Sequence, residues 1–168
     1  MADEIVNKVA QSSLMVFDLE DYYPHKDRVI LDISQWLHGG FILKEKEFRD
    51  ALKSFDFEVF RGKLVALNCS TDAILPSWAF MLVSSYLQPI AQMVVQGTLH
   101  QLDLAFYQEV IGNLDFSSYE NKPVIIKGCS KKPIPEEAYV MATQKMMNYA
   151  RSIMFGEACS AVPIFKKK

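Results

Sequence analysis

Three cysteines are the residues most able to do chemistry in this 168-residue chain, and each is followed by serine: Cys69-Ser70, Cys129-Ser130 and Cys159-Ser160. Cys69 comes directly after the apolar run Leu64-Val65-Ala66-Leu67-Asn68, and Cys129 follows Val124-Ile125-Ile126-Lys127-Gly128. Both runs read as buried strands, so both thiols lie between a strand and a following helix, where open parallel sheets place their ligands. A cysteine ahead of a helix start has its thiolate favoured by the dipole and by free backbone N–H groups. Cys69 is the best placed to act as a nucleophile or a ligand. Soft thiolates select zinc, copper(I) or an iron–sulfur centre, and three of them take a fourth ligand or leave a position open. Asp72, three residues after Cys69, offers a carboxylate; it suits a helix cap or turn acceptor equally well. Each cysteine alone reads first as a small buried hydrophobe. Strand-end placement and the shared serine favour a thiolate site built from Cys69, Asp72, Cys129 and Cys159.

Other chemistries lack their residues. No CxxC pair occurs, which removes thioredoxin-type exchange and four-cysteine zinc ribbons. The GxGxxG and GxxxxGK[ST] phosphate loops and the HExxH zinc motif are absent. Neither Cys69 nor Cys129 has an arginine six positions later to hold phosphate. His25, His38 and His100 are scattered; His38 reads as a loop residue and His100 as a satisfied histidine in an apolar section.

The elements that must carry these thiols follow from periodicity. Residues 44–54 repeat apolar positions at Phe48 and Leu52 among charges, an amphipathic helix. After the 63–68 strand, Pro76 opens a helix that ends near Pro89. A short strand at 93–95 leads through Gly97 to a helix striped by Leu102 and Phe106, which Gly112-Asn113 stops. Residues 122–128 form the second buried strand. Pro135 then opens a long helix with Glu136 and Glu137 in its first turn, striped by Tyr139, Ala142, Met146, Ala150 and Ile153 and ending at Gly156. A straight helix over 135–155 spans about 30 Å, which would hold Cys129 and Cys159 at opposite ends unless the chain folds back. Residues 1–27 suit a covering arm or a helix, and 28–37 a strand or a loop entry. No repeat divides the chain. Alternating strands and helices predict an α/β class: a single domain over 1–168, one mostly parallel sheet flanked by helices, with mixed α+β as the alternative.

Composition sets the outer bounds. With 18 Lys+Arg against 20 Asp+Glu, net charge −2 and 50% hydrophobic residues, the chain is globular and has no positive field for nucleic acid. A chain of this length needs no metal or disulfide merely to fold. Residues 73–102 carry no Asp, Glu, Lys or Arg, yet Pro76, Pro89 and scattered Ser and Gln argue against a membrane span. Three cysteines behind an acidic start, Met1-Ala2-Asp3-Glu4, point to the reducing cytoplasm.

The segments Asn68-Cys69-Ser70-Thr71-Asp72-Ala73-Ile74-Leu75-Pro76-Ser77-Trp78-Ala79, Lys127-Gly128-Cys129-Ser130 and Gly156-Glu157-Ala158-Cys159-Ser160-Ala161-Val162-Pro163 resemble a bacterial family of unknown function, DUF2480. The resemblance extends over nearly the whole chain and assigns no activity. Members are encoded near iron–sulfur cluster assembly components, so it implies a zinc or iron–sulfur binding accessory with assembly proteins as partners. Two other functions stay open: a thiol enzyme with Cys69 as nucleophile, and a protein-interaction module. For the last, Trp36, Tyr22 and Tyr23 would suit a homodimer interface.

Overall fold

The computed structural model describes residues 13–128, 131–157 and 160–168. Cys129 and Cys159 therefore lie outside the described residues. The chain is α/β with mostly parallel strands, as expected. The strands, however, divide between two sheets in two compact units rather than forming one layer. Residues 24–106 make an inserted unit, and the residues before and after it make a split unit.

In the inserted unit, β2 (Arg28–Asp32), β3 (Leu64–Asn68) and β4 (Met93–Gln96) run parallel in the order β2-β3-β4. Leu64 to Leu67 are all buried, because both faces of β3 are covered. One face packs Val65 and Leu67 against Phe48 and Leu52 of α1 (Glu45–Ser54) and Ala79, Val83 and Leu87 of α2 (Ser77–Leu87). The other packs Leu64 and Ala66 against Leu102, from α3 (Leu99–Asn113). That helix opens on reciprocal bonds: Thr98 N–H donates to Gln101 Oε1 (2.8 Å) and Gln101 N–H to Thr98 Oγ1 (3.3 Å), a capping box. Arg28 pairs with the nearly buried Asp103 at 2.5 Å, tying β2 to α3.

The split unit has β1 (Met15–Phe17), β5 (Pro123–Ile126) and β6 (Ser152–Phe155) in parallel, and β7 (Val162–Lys166) antiparallel on the β6 edge. Of the segment expected as an arm or a helix, residues 1–12 lie outside the described residues, and the rest holds β1 and the 3-10 turn Leu19–Tyr22. The expected long helix is also shorter: α4 is Glu136–Met146, followed by a turn and β6. Ala150 and Ile153 are buried as the helical stripe required, but from a turn and a central strand. A stripe of buried positions cannot by itself report where a helix stops.

The two units repeat one another, a relation the sequence reading missed. Residues 44–97 correspond to 103–156 at an offset of 59, as from Gly97 to Gly156. Gly62 N–H donates to Ile90 O, and Asn121 N–H to Tyr149 O. Gln92 N–H donates to Lys63 O, and Arg151 N–H to Lys122 O. Gly97 N–H donates to Leu67 O, and Gly156 N–H to Ile126 O. Gly62 and Asn121 share a positive φ, 68° and 57°, and Asn121 adopts it because asparagine tolerates the left-handed region best after glycine. The core positions Phe48 and Tyr107, Leu52 and Ile111, Ala79 and Ala138, and Leu87 and Met146 are buried in both units. Only eight of these positions keep the same residue, Asp56, Phe57, Lys63, Val65, Pro76, Ala79, Ala91 and Gly97. That is too few to see without the hydrogen bonds. The inserted unit interrupts its sister after the latter's first strand and turn.

Candidate functional site

Each unit presents a site at the carboxyl ends of its parallel strands, and each is organised by an aspartate that closes the first strand. Asp32 ends β2 and caps the short 3-10 turn Ile33–Trp36 through a bond from Ser34 N–H (3.0 Å). Asp18 follows β1 and caps Leu19–Tyr22 through Glu20 N–H (2.9 Å). The sequence carries the signal twice, as Leu31-Asp32-Ile33-Ser34-Gln35-Trp36 and Phe17-Asp18-Leu19-Glu20-Asp21-Tyr22, a local turn signal that the sequence analysis missed. An aspartate side chain bonding the backbone two residues on is a favoured local motif.

In the inserted unit Asp32 also grips the loop after β3. It accepts from Ser70 N–H (3.0 Å) and Ser70 Oγ–H (2.5 Å), and the Ser70 and Ser34 hydroxyls lie 3.2 Å apart. Burial pushes the Asp32 carboxyl up, but the bonds from Ser70 and Ser34 together outweigh it and bring it from 3.8 down to about 2. Cys69 is half-buried against the core. Its N–H donates to Asn68 Oδ1 (2.7 Å), and its Sγ is 3.6 Å from Thr71 O and 3.4 Å from Thr71 Oγ1. Thr71 Oγ1–H donates in turn to Gly40 O (2.6 Å). Cys69 therefore sits in a hydrogen-bonded turn eight residues before α2 begins at Ser77. Asp72 lines an open groove of about 510 Å³ with Phe41, Ile42 and Ile74. Among the described residues no group of three or more His, Cys, Asp or Glu is gathered to hold a metal. His38 Nδ1 is 3.0 Å from Lys44 Nζ and 3.5 Å from Glu47, an exposed surface network.

In the split unit the loops leading to Cys129 and Cys159 start side by side. Gly156 N–H donates to Ile126 O at 3.1 Å. A Cβ on Gly128 would lie 2.9 Å from the Phe155 ring and 3.2 Å from Gly156 Cα. The two backbones thus touch at the residue before Cys129 and three residues before Cys159. The ends of the first loop are fastened: Lys127 N–H donates to Phe17 O, Lys127 Nζ to Asp18 Oδ2 (2.6 Å), and Lys131 N–H to the Glu20 carboxylate. The Asp18 bond holds the Lys127 ammonium above its usual range. Across the second loop, Ser160 N–H donates to Glu157 O (2.9 Å). The long helix that would have kept these loops apart is replaced by α4 and a strand that returns to the same sheet end.

The aromatics suggested for an interface also have partners within the chain. Trp36 packs edge-on to Phe55 at 5.2 Å between ring centres, Tyr22 stacks on Phe17 at 5.7 Å, and Lys132 Nζ lies 5.3 Å from the centre of the Tyr23 ring.

Among the described residues no helix is long and apolar enough to cross a membrane. Residues 3–167 match the family described as protein of unknown function DUF2480, and the chain belongs to that family. No curated protein and no solved structure matches the chain.

Proposed function

We propose, from a family without an assigned activity and a chain with paired thiol loops, that this protein is a thiolate metal-binding protein serving iron–sulfur cluster assembly. Cys129 and Cys159 are its soft ligands. The observation that carries this is the backbone contact between Gly128 and Gly156, which starts both cysteine-bearing loops from one point at the ends of β5 and β6. Thiols carried on loops that start side by side suit zinc or an iron–sulfur centre. Such a group, when bound, would supply cluster or Lewis-acid chemistry. The chain's own part is to hold the loops, through Lys127 on Asp18 and Lys131 on Glu20. Cys69 and Asp72 belong to the inserted unit, where Cys69 is engaged with Asn68 and Thr71.

The test is metal content and the ultraviolet–visible spectrum of protein purified without oxygen. Near-stoichiometric zinc, or iron with a charge-transfer band, is expected, with at least a tenfold loss in Cys129→Ser and in Cys159→Ser. Cys69→Ser reports separately: a parallel loss makes Cys69 a third ligand, and retention confines the centre to the pair. Metal content unchanged in both loop variants, or absent from the wild type, would overturn the proposal.

A further inference from the structure

The repeat shows what one unit has and the other lacks. Each unit has a groove between its second helix and its strand ends, at matching positions: Leu67 and Ile126, Phe80 and Tyr139, Met81 and Val140, Gln96 and Phe155. In the split unit the groove is completed by a strand. After Gly156 the chain returns as β7 and pairs antiparallel on the outer edge of β6, with Phe155 opposite Val162 and Ser152 opposite Lys166, so that Ile164 joins the groove lining. In the inserted unit the chain leaves Gly97 directly into α3, and among the described residues no strand pairs the outer edge of β4.

We propose that this edge is an interface with a second copy of the chain, β4 pairing antiparallel with β4 of its partner in the place that β7 takes on β6. Three observations select that occupant. The edge is Met93-Val94-Val95-Gln96, with no lysine, proline or charge to blunt it, although proteins guard lone edges by such means. By contrast β7 carries both Pro163 and Lys166. Residues 73–102, which supply β4 and all of the groove lining except Leu67, contain no Asp, Glu, Lys or Arg. The surface therefore selects an uncharged strand and meets no like charge when it faces itself. A two-fold axis makes the two β4 strands antiparallel, the direction β7 has on β6. Met81, 69% exposed in the groove lining, adds an adaptable apolar contact.

Sedimentation equilibrium of the full chain tests this. The expected mass is twice that of the chain, and amides of β4 should exchange more slowly as concentration rises. Gln96→Lys combined with Met81→Lys, both at exposed positions that leave the core intact, should weaken association at least tenfold. Val140→Lys, at the matching place in the groove that β7 already completes, should leave it unchanged. A wild-type chain of single mass overturns the proposal. So does a dimer that survives the double lysine variant, or a chain starting at residue 13 that dimerises when the full chain does not, which would give the edge to the chain's own first residues. The thiolate proposal is read by metal content and stands or falls separately.

Discussion

Replacing Asp32 with asparagine tests how the strand-end loops of the inserted unit are held. The carboxylate accepts three bonds, from Ser34 N–H, Ser70 N–H and Ser70 Oγ–H, and is held at about 2 instead of 3.8. At 1.36 kcal/mol per pH unit that corresponds to at most about 2.4 kcal/mol. Water at this partly open site screens the interaction and reduces it to about 1–2 kcal/mol. Because the folded value lies below the unfolded one, the contribution is complete above about pH 4 and is lost as pH falls through about 2. Asparagine keeps one carbonyl oxygen for the backbone donors but presents an amide NH2 where Ser70 Oγ–H needs an acceptor. Urea unfolding at pH 6 should therefore show Asp32→Asn less stable than wild type by about 1–2 kcal/mol, and the gap should narrow toward zero near pH 2. A gap that persists unchanged at pH 2, or that is absent at pH 6, would refute the assignment of this carboxylate as the loop clamp.

Three further substitutions probe the split unit. Gly128→Ala puts a methyl against the Phe155 ring and Gly156 Cα, and should cost about 1–3 kcal/mol in thermal or urea unfolding. Gly112→Ala, a helical position with open space around it, should instead stabilise by about 0.5–1 kcal/mol. Lys145 Nζ donates to the carbonyls of Ile111, Gly112 and Leu114, each at 2.7 Å, and lies 5.1 Å from the centre of the Phe116 ring. Lys145→Met keeps the stem but leaves the end of α3 without that cation and should lower stability by about 1–2 kcal/mol, seen as a lower urea midpoint.

Several elements were legible because local pattern and burial agree. The run 63–68 became β3, the amphipathic stripe at 44–54 became α1, and Pro76 and Pro135 each immediately precede a helix. The last stripe misled for a physical reason. Met146, Ala150 and Ile153 keep helical spacing, but the core they fill is reached by a helix end, a turn and a strand. The candidate site was legible as residue types only. Cys69 and Asp72 were found in the sequence, yet the clamp is Asp32 with Ser70, whose partners lie 38 residues apart.

Amino-acid order alone determined the α/β class, the near-neutral net charge and the strand-end location of the Cys69 and Cys129 segments, since these depend on composition and on periods of two to four residues. Tertiary structure decided that there are two sheets, that one unit is inserted in its sister, and that Gly128 meets Gly156. Those outcomes depend on backbone hydrogen bonds between distant segments. Such bonds are indifferent to side-chain identity, so the two units keep the same bonds at an offset of 59 while sharing few residues.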